Sequence, residues 1–151
     1  MSKRTGAVQD FSGARLTSVG TPTTPTDAVN RQFIRYDWPT GCVGKPNPGE
    51  IFPYFLVPVP FTIPATMTGS RSRCIVAPAA SVTWTLNRIN SAGSTTQIAT
   101  LNFAAGATSG TFTMSSATSI VDGDLLYWSA PSNQDANMSD ISITVAGIRT
   151  A

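Results

Sequence analysis

The chain has no histidine and a single glutamate, Glu50, among its 151 residues. The first absence removes the usual general base near neutral pH and the commonest zinc ligand. No Gly-rich phosphate loop and no Gly-x-Ser-x-Gly elbow occurs either. Charged residues make up only 12%, about half the share usual in soluble domains. A net charge of +2 with no basic run longer than Lys3-Arg4 or Arg71-x-Arg73 gives no footprint for nucleic acid; both pairs read as solvated surface. No segment approaches the ~18 apolar residues of a membrane span. Residues 1–10 are polar and lack an apolar segment, so no signal peptide is expected and synthesis in a cytoplasm is. The sequon Asn137-Met138-Ser139 has no export signal to give it meaning. Cys42 and Cys74 lie far apart; pairing on export is open to them, and isolated buried thiols are the favoured reading. An enzyme, a cofactor and a metal are all unexpected.

What is present is alternation. In residues 81–114, Val82, Trp84 and Leu86 oppose Thr83, Thr85 and Asn87, and Ala99, Leu101 and Phe103 oppose Thr100 and Asn102. Phe112 and Met114 then oppose Thr111 and Thr113. Period-two patterning broken by Gly and Ser clusters predicts an antiparallel meander with one buried face and a Thr, Ser and Asn outer face. With 41% hydrophobic residues in periodic order, the chain is long enough to bury one sizeable core.

Strands are expected at residues 74–77, 82–89, 97–103, 110–114, 125–129 and around Ile141, Ile143 and Val145. Residues 125–129 are nearly continuous in apolar side chains, which predicts burial on both faces. Gly123 supplies the positive φ of a tight turn at residues 121–124. The predicted fold is all-β: an antiparallel β-sandwich or jelly-roll-like domain over residues 64–151. Residues 1–63 are expected to form an extended N-terminal arm. Within it, Pro22 and Pro25 oppose helix, and Thr26 or Asp27 caps one short helix carrying Val29 and Phe33. Seven of the eleven prolines fall between residues 39 and 64. That density predicts loops at residues 41–50, then an edge strand or a segment lying across a core.

Candidate chemistry is thin. Asp122 and Asp124 flank Gly123, too few oxygens for calcium and sufficient for a turn. Asp135 and Asp140 are more readily loop caps than glycosidase carboxylates. Trp84 and Trp128 occupy strand positions and are expected in the core rather than under a sugar.

Residues 15–33, RLTSVGTPTTPTDAVNRQF, resemble a short segment that recurs in tail-fibre and other trimeric appendage proteins of tailed bacteriophages. Arg15, Leu16, Pro22, Asp27, Ala28 and Phe33 fill its positions. Residues 64–149 resemble a β domain of phage virion proteins, including capsid decorations and fibres. Its marks are Asn-Phe-Ala-Ala-Gly at 102–106, Gly-Asp-Leu at 123–125, Ala-Pro-x-x-Gln-Asp-Ala at 130–136, and Ile-x-Ile-x-Val at 141–145. A Pro-Ala-x-Met-x-Gly-Ser run at 64–70 precedes them. The first hairpin departs from the pattern, with a longer 90–95 turn where the family has a tight Asn-Gly.

The resemblance implies a virion surface protein, made in a host bacterial cytoplasm, that forms a homotrimer and binds the major capsid protein as a decoration or cement. A tail-fibre or receptor-binding tip holding a host polysaccharide is the alternative it implies. Neither role involves nucleic acid or membrane. Residues 1–60, fully extended, reach up to ~200 Å at ~3.3 Å each. Arm contacts are expected at Leu16, Val19, Phe33 and Trp38, and three-fold contacts at Phe52, Tyr54 and Phe55.

Overall fold

A computed structural model of the chain describes residues 35–149. The residues form two antiparallel sheets of five strands each. The spine of the first sheet is β10 (Ser139–Arg149), the longest strand. One edge of β10 is covered by β1 (Arg35–Cys42), in register from Arg35 opposite Ile148 to Cys42 opposite Ile141. Its other edge is shared. There β4 (Arg71–Val76) covers residues 139–144 and β3 (Phe61–Ile63) pairs with Ile148 and Arg149. Outside β3 lies β8 (Thr118–Ile120).

The second sheet runs in the order β2 (Phe55–Leu56), β9 (Leu125–Ser129), β5 (Val82–Ile89), β6 (Thr95–Phe103) and β7 (Thr111–Thr113). Strands β5, β6 and β7 are the predicted meander. The β5–β6 turn is fixed by Asn90, whose Oδ1 accepts the Ala92 and Ser94 amides. Gly93 adopts φ 79° there, a conformation open to glycine at no cost. A bulge at Leu86/Asn87 leaves Ile98 without a cross-strand partner.

The two inner faces share one apolar cluster. Ile141, Ile143, Val145, Phe61 and Ile63 come from the first sheet, and Trp84, Leu86, Leu101, Leu126 and Trp128 from the second. The predicted all-β, antiparallel class therefore holds for the described residues.

Residues 35–63 differ from expectation. They are not an appendage: β1 and β3 are integral to the first sheet, and Trp38, Phe52, Phe61 and Ile63 are core residues. The boundary expected at residue 63 is therefore corrected, and the described part of the presumed arm belongs to the β body. Pro39 and Gly41 disguised β1. Both lie on an edge strand, where a missing amide donor is tolerated. Gly41 is required, because a Cβ there would strike the Ile141 carbonyl oxygen. The proline-rich segment follows the predicted edge course. Gly49, Phe52 and Val57 donate backbone hydrogen bonds to Pro131, Trp128 and Asp124, and Phe55 pairs with Leu126.

Strand β9 is also corrected. Only Leu126 and Trp128 are buried, while Leu125, Tyr127 and Ser129 are half-buried on the opposite face. The predicted helix of the arm, around residues 26–34, falls outside the described residues.

The cysteines are unpaired. Cys42 and Cys74 both stand opposite Ile141, on the two strands flanking β10. Two strand spacings separate them by ~10 Å, beyond the reach of a disulfide. Burial raises the pKa of both thiols.

Candidate functional site

Of the sequence-expected contact residues, Arg15, Leu16, Val19, Pro22, Asp27, Ala28 and Phe33 lie outside the described residues. The other four part company. Trp38 and Phe52 are buried, Phe52 with 1% of its surface accessible, and Phe52 packs on Trp84 at 5.0 Å between ring centroids. Neither has surface left for a second chain. Phe55 is half-buried and stacks on Trp38 at 5.1 Å. Only Tyr54 is exposed, at 54%.

The reason is the phase of the strand. Along residues 51–57, Phe52, Phe55 and Val57 turn inward while Ile51, Tyr54 and Leu56 turn outward. Both Pro53 and Tyr54 are exposed, so Pro53 adds one residue and shifts the alternation. Tyr54 meets Tyr127 edge to face at 5.1 Å. Leu56 pairs with Leu125, which in turn pairs with Ile89.

The 121–124 turn extends this strip. Val57 accepts the Gly123 amide at 3.0 Å, which sets exposed Val121 beside the edge strand. Ile51, Tyr54, Leu56 and Val121 thus line one margin of the second sheet. Exposed apolar side chains grouped at an edge mark an interaction surface more often than scattered ones do. Sequence reasoning missed Ile51, Leu56 and Val121; the out-in pattern either side of Pro53 was the available signal for Ile51 and Leu56.

Beneath the strip, Asp124 is fully buried. Its Oδ2 accepts the Val121 amide at 2.9 Å and lies 2.8 Å from Arg88 Nε. Arg88 also donates to the Ser119 carbonyl on β8, so this one side chain links the two sheets. Asp122 is exposed. No group of three or more metal-ligating side chains occurs among the described residues, and the aspartates make turns.

Asp135 and Asp140 are caps as well. Asp135 accepts the Ala80, Asn137 and Met138 amides at 2.9, 2.8 and 3.1 Å, and these bonds lower its pKa to about 2. Asp140 accepts the Gly44 amide and the Ser139 hydroxyl, which lower its pKa too. Trp84 and Trp128 are core residues, at most 1% accessible.

No family model, curated protein or solved structure matches this chain. Besides the apolar strip, the described residues form a second surface feature. At the opposite margin of the second sheet, a recess of about 450 Å³ opens between β4 and β7. Arg71 and Arg73 stand on its β4 wall, opposite Thr144 and Ser142 of β10.

Proposed function

We propose that the chain is a bacteriophage capsid decoration protein. In this reading a homotrimeric knob, with the two sheets as layers of a jelly-roll-like sandwich, binds the major capsid protein on the virion surface. The work is adhesion rather than turnover. Apolar surface removed from water returns ~25 cal/mol per Å², and stable interfaces bury at least ~1,200 Å² in total.

The observation that carries this reading is the exposed strip of Ile51, Tyr54, Leu56 and Val121, set on a rigid, mostly uncharged β body. The motifs that resemble those of phage virion domains support it. Two of them help form the body: Gly123 and Asp124 shape the turn under the strip, and Ile141, Ile143 and Val145 are the inner side of β10. Arg15, Leu16, Pro22, Asp27, Ala28 and Phe33 fill the positions of the trimeric-appendage segment that residues 15–33 resemble, and this reading assigns them to contacts between copies and with the shell.

A receptor-binding tip recognising a host polysaccharide is the second reading, favoured by the Arg71 and Arg73 recess. Light scattering on the purified full chain and its copy number in purified particles test the proposal. A mass three times 15.9 kDa and a copy number comparable to that of shell subunits are expected. A monomer absent from particles would refute it, and a copy number matching the tail would favour the second reading.

A further inference from the structure

We propose that the recess between β4 and β7 binds the carboxylate-bearing sugars of an acidic polysaccharide. Arg71 and Arg73 are two apart on one strand, so both leave the same face with stems ~7 Å apart. Both are exposed, and neither has a carboxylate partner among the described residues. Arg35 and Arg88, by contrast, are paired with Asp37 and Asp124. No carboxylate lines the recess; the polar side chains beside the two arginines are hydroxyls, with Ser142 opposite Arg73 and Thr144 opposite Arg71.

The walls are built in advance. Ser72 Oγ accepts the Gly110 amide at 3.0 Å, and the Cys74 amide donates to the Thr108 carbonyl at 2.9 Å. These two bonds tie β4 to the loop that enters β7. Gly110 cannot be replaced without disturbing this wall, since a Cβ would lie 2.5 Å from Leu101 Cδ1. Phe112 also lines the recess, half-buried and packed toward Trp128 at 6.1 Å between ring centroids.

Each feature answers part of an acidic sugar. Guanidinium forks match a carboxylate in geometry and charge, hydroxyls match a polyol, and a fixed aromatic ring covers the apolar side of a pyranose. About 450 Å³ is the scale of a small-molecule site. Two cations are too few for a nucleic-acid track, and a concave, hydroxyl-lined recess suits a sugar better than a flat protein surface.

The inference stands apart from the decoration reading. The recess adjoins β7 and the apolar strip lies along β2, at opposite edges of the second sheet, so a knob seated on a shell by the strip leaves the recess open.

The test is calorimetric titration of the full chain with a galacturonate oligomer, a neutral glucose oligomer of equal length, a short glutamate peptide and inorganic phosphate at constant ionic strength. Binding of the galacturonate oligomer alone is expected. It should weaken about tenfold or more in R71Q/R73Q, and less in R71K/R73K, while K45Q, which removes an exposed charge outside the recess, binds as the parent does. Equal melting temperatures establish that the variants are folded; T144V offers a second, milder perturbation expected to weaken binding. Equal binding of the neutral oligomer would overturn the proposal, as would undiminished binding by R71Q/R73Q. Equally tight glutamate peptide would reassign the recess to an acidic protein, and equally tight phosphate would reduce it to a simple anion site.

Discussion

Replacing Arg88 with methionine should be among the most damaging single changes on this chain that remove no core side chain. Arg88 sits opposite Leu126 on the inner register of β5 and bridges to Asp124 and to the Ser119 carbonyl of the other sheet. Methionine keeps much of the stem but leaves the Asp124 carboxylate buried with only the Val121 amide as partner. Breaking a buried pair from one side costs ~3–5 kcal/mol. Because a quarter of the Arg88 side chain is accessible, water will partly replace it, and about 2–3 kcal/mol is the expected loss. That corresponds to a drop in melting temperature on the order of 10 °C. D124N should cost less, about 1 kcal/mol, since the amide oxygen still accepts from Val121 and Arg88 keeps Ser119 and solvent. The double variant should lose less than the sum of the two. Urea unfolding followed by circular dichroism measures all three. An R88M loss below ~0.5 kcal/mol, or strict additivity, would refute the ion pair as the tie beneath the strip.

Acid sensitivity should trace to Asp135. Its folded pKa of about 2 lies below the ordinary 3.8, so the unfolded chain binds the proton more readily. Its contribution is whole above pH 3.8 and lost as the pH falls through about 2; D135N should flatten stability against pH in that window, leaving the smaller slope from Asp140. G147V should destabilise by ~1–3 kcal/mol through overpacking, because a Cβ at Gly147 would run into the Phe61 ring; a melting curve matching the parent would contradict the β3–β10 packing. Deleting residues 1–34 should leave the β body folded and abolish attachment to particles, checked by circular dichroism and co-sedimentation; attachment at the parent level would remove the leader from the mechanism.

Much of the fold was legible because local pattern and long-range pairing agree. Residues 82–89 and 125–129 are strands at the expected bounds: the first alternates apolar and polar residues up to the Asn90 turn, and the second is a short apolar run that begins just after the 121–124 turn. Strands β1 and β3 were hidden for the opposite reason. Pro39 and Gly41 weaken the local signal of β1, and β3 is three residues held by β10 and β8 on its two sides. The surface was less legible. Hydrophobicity alone does not separate Phe52 from Tyr54, and the single residue added at Pro53 decides which faces out. The pair Arg71 and Arg73 reads as solvated surface until pairing across 69 residues of sequence sets Ser142 opposite Arg73, information no local window contains.

The central claim is that the apolar strip holds the protein to its shell. It is tested most directly by rebinding purified full-length chain to capsid shells stripped of it, comparing the parent with Y54S/L56S. Both substituted side chains are exposed, so the variant should fold as the parent does. The account predicts saturable rebinding by the parent and loss of rebinding by the variant. Rebinding of the folded variant with parental affinity would contradict it.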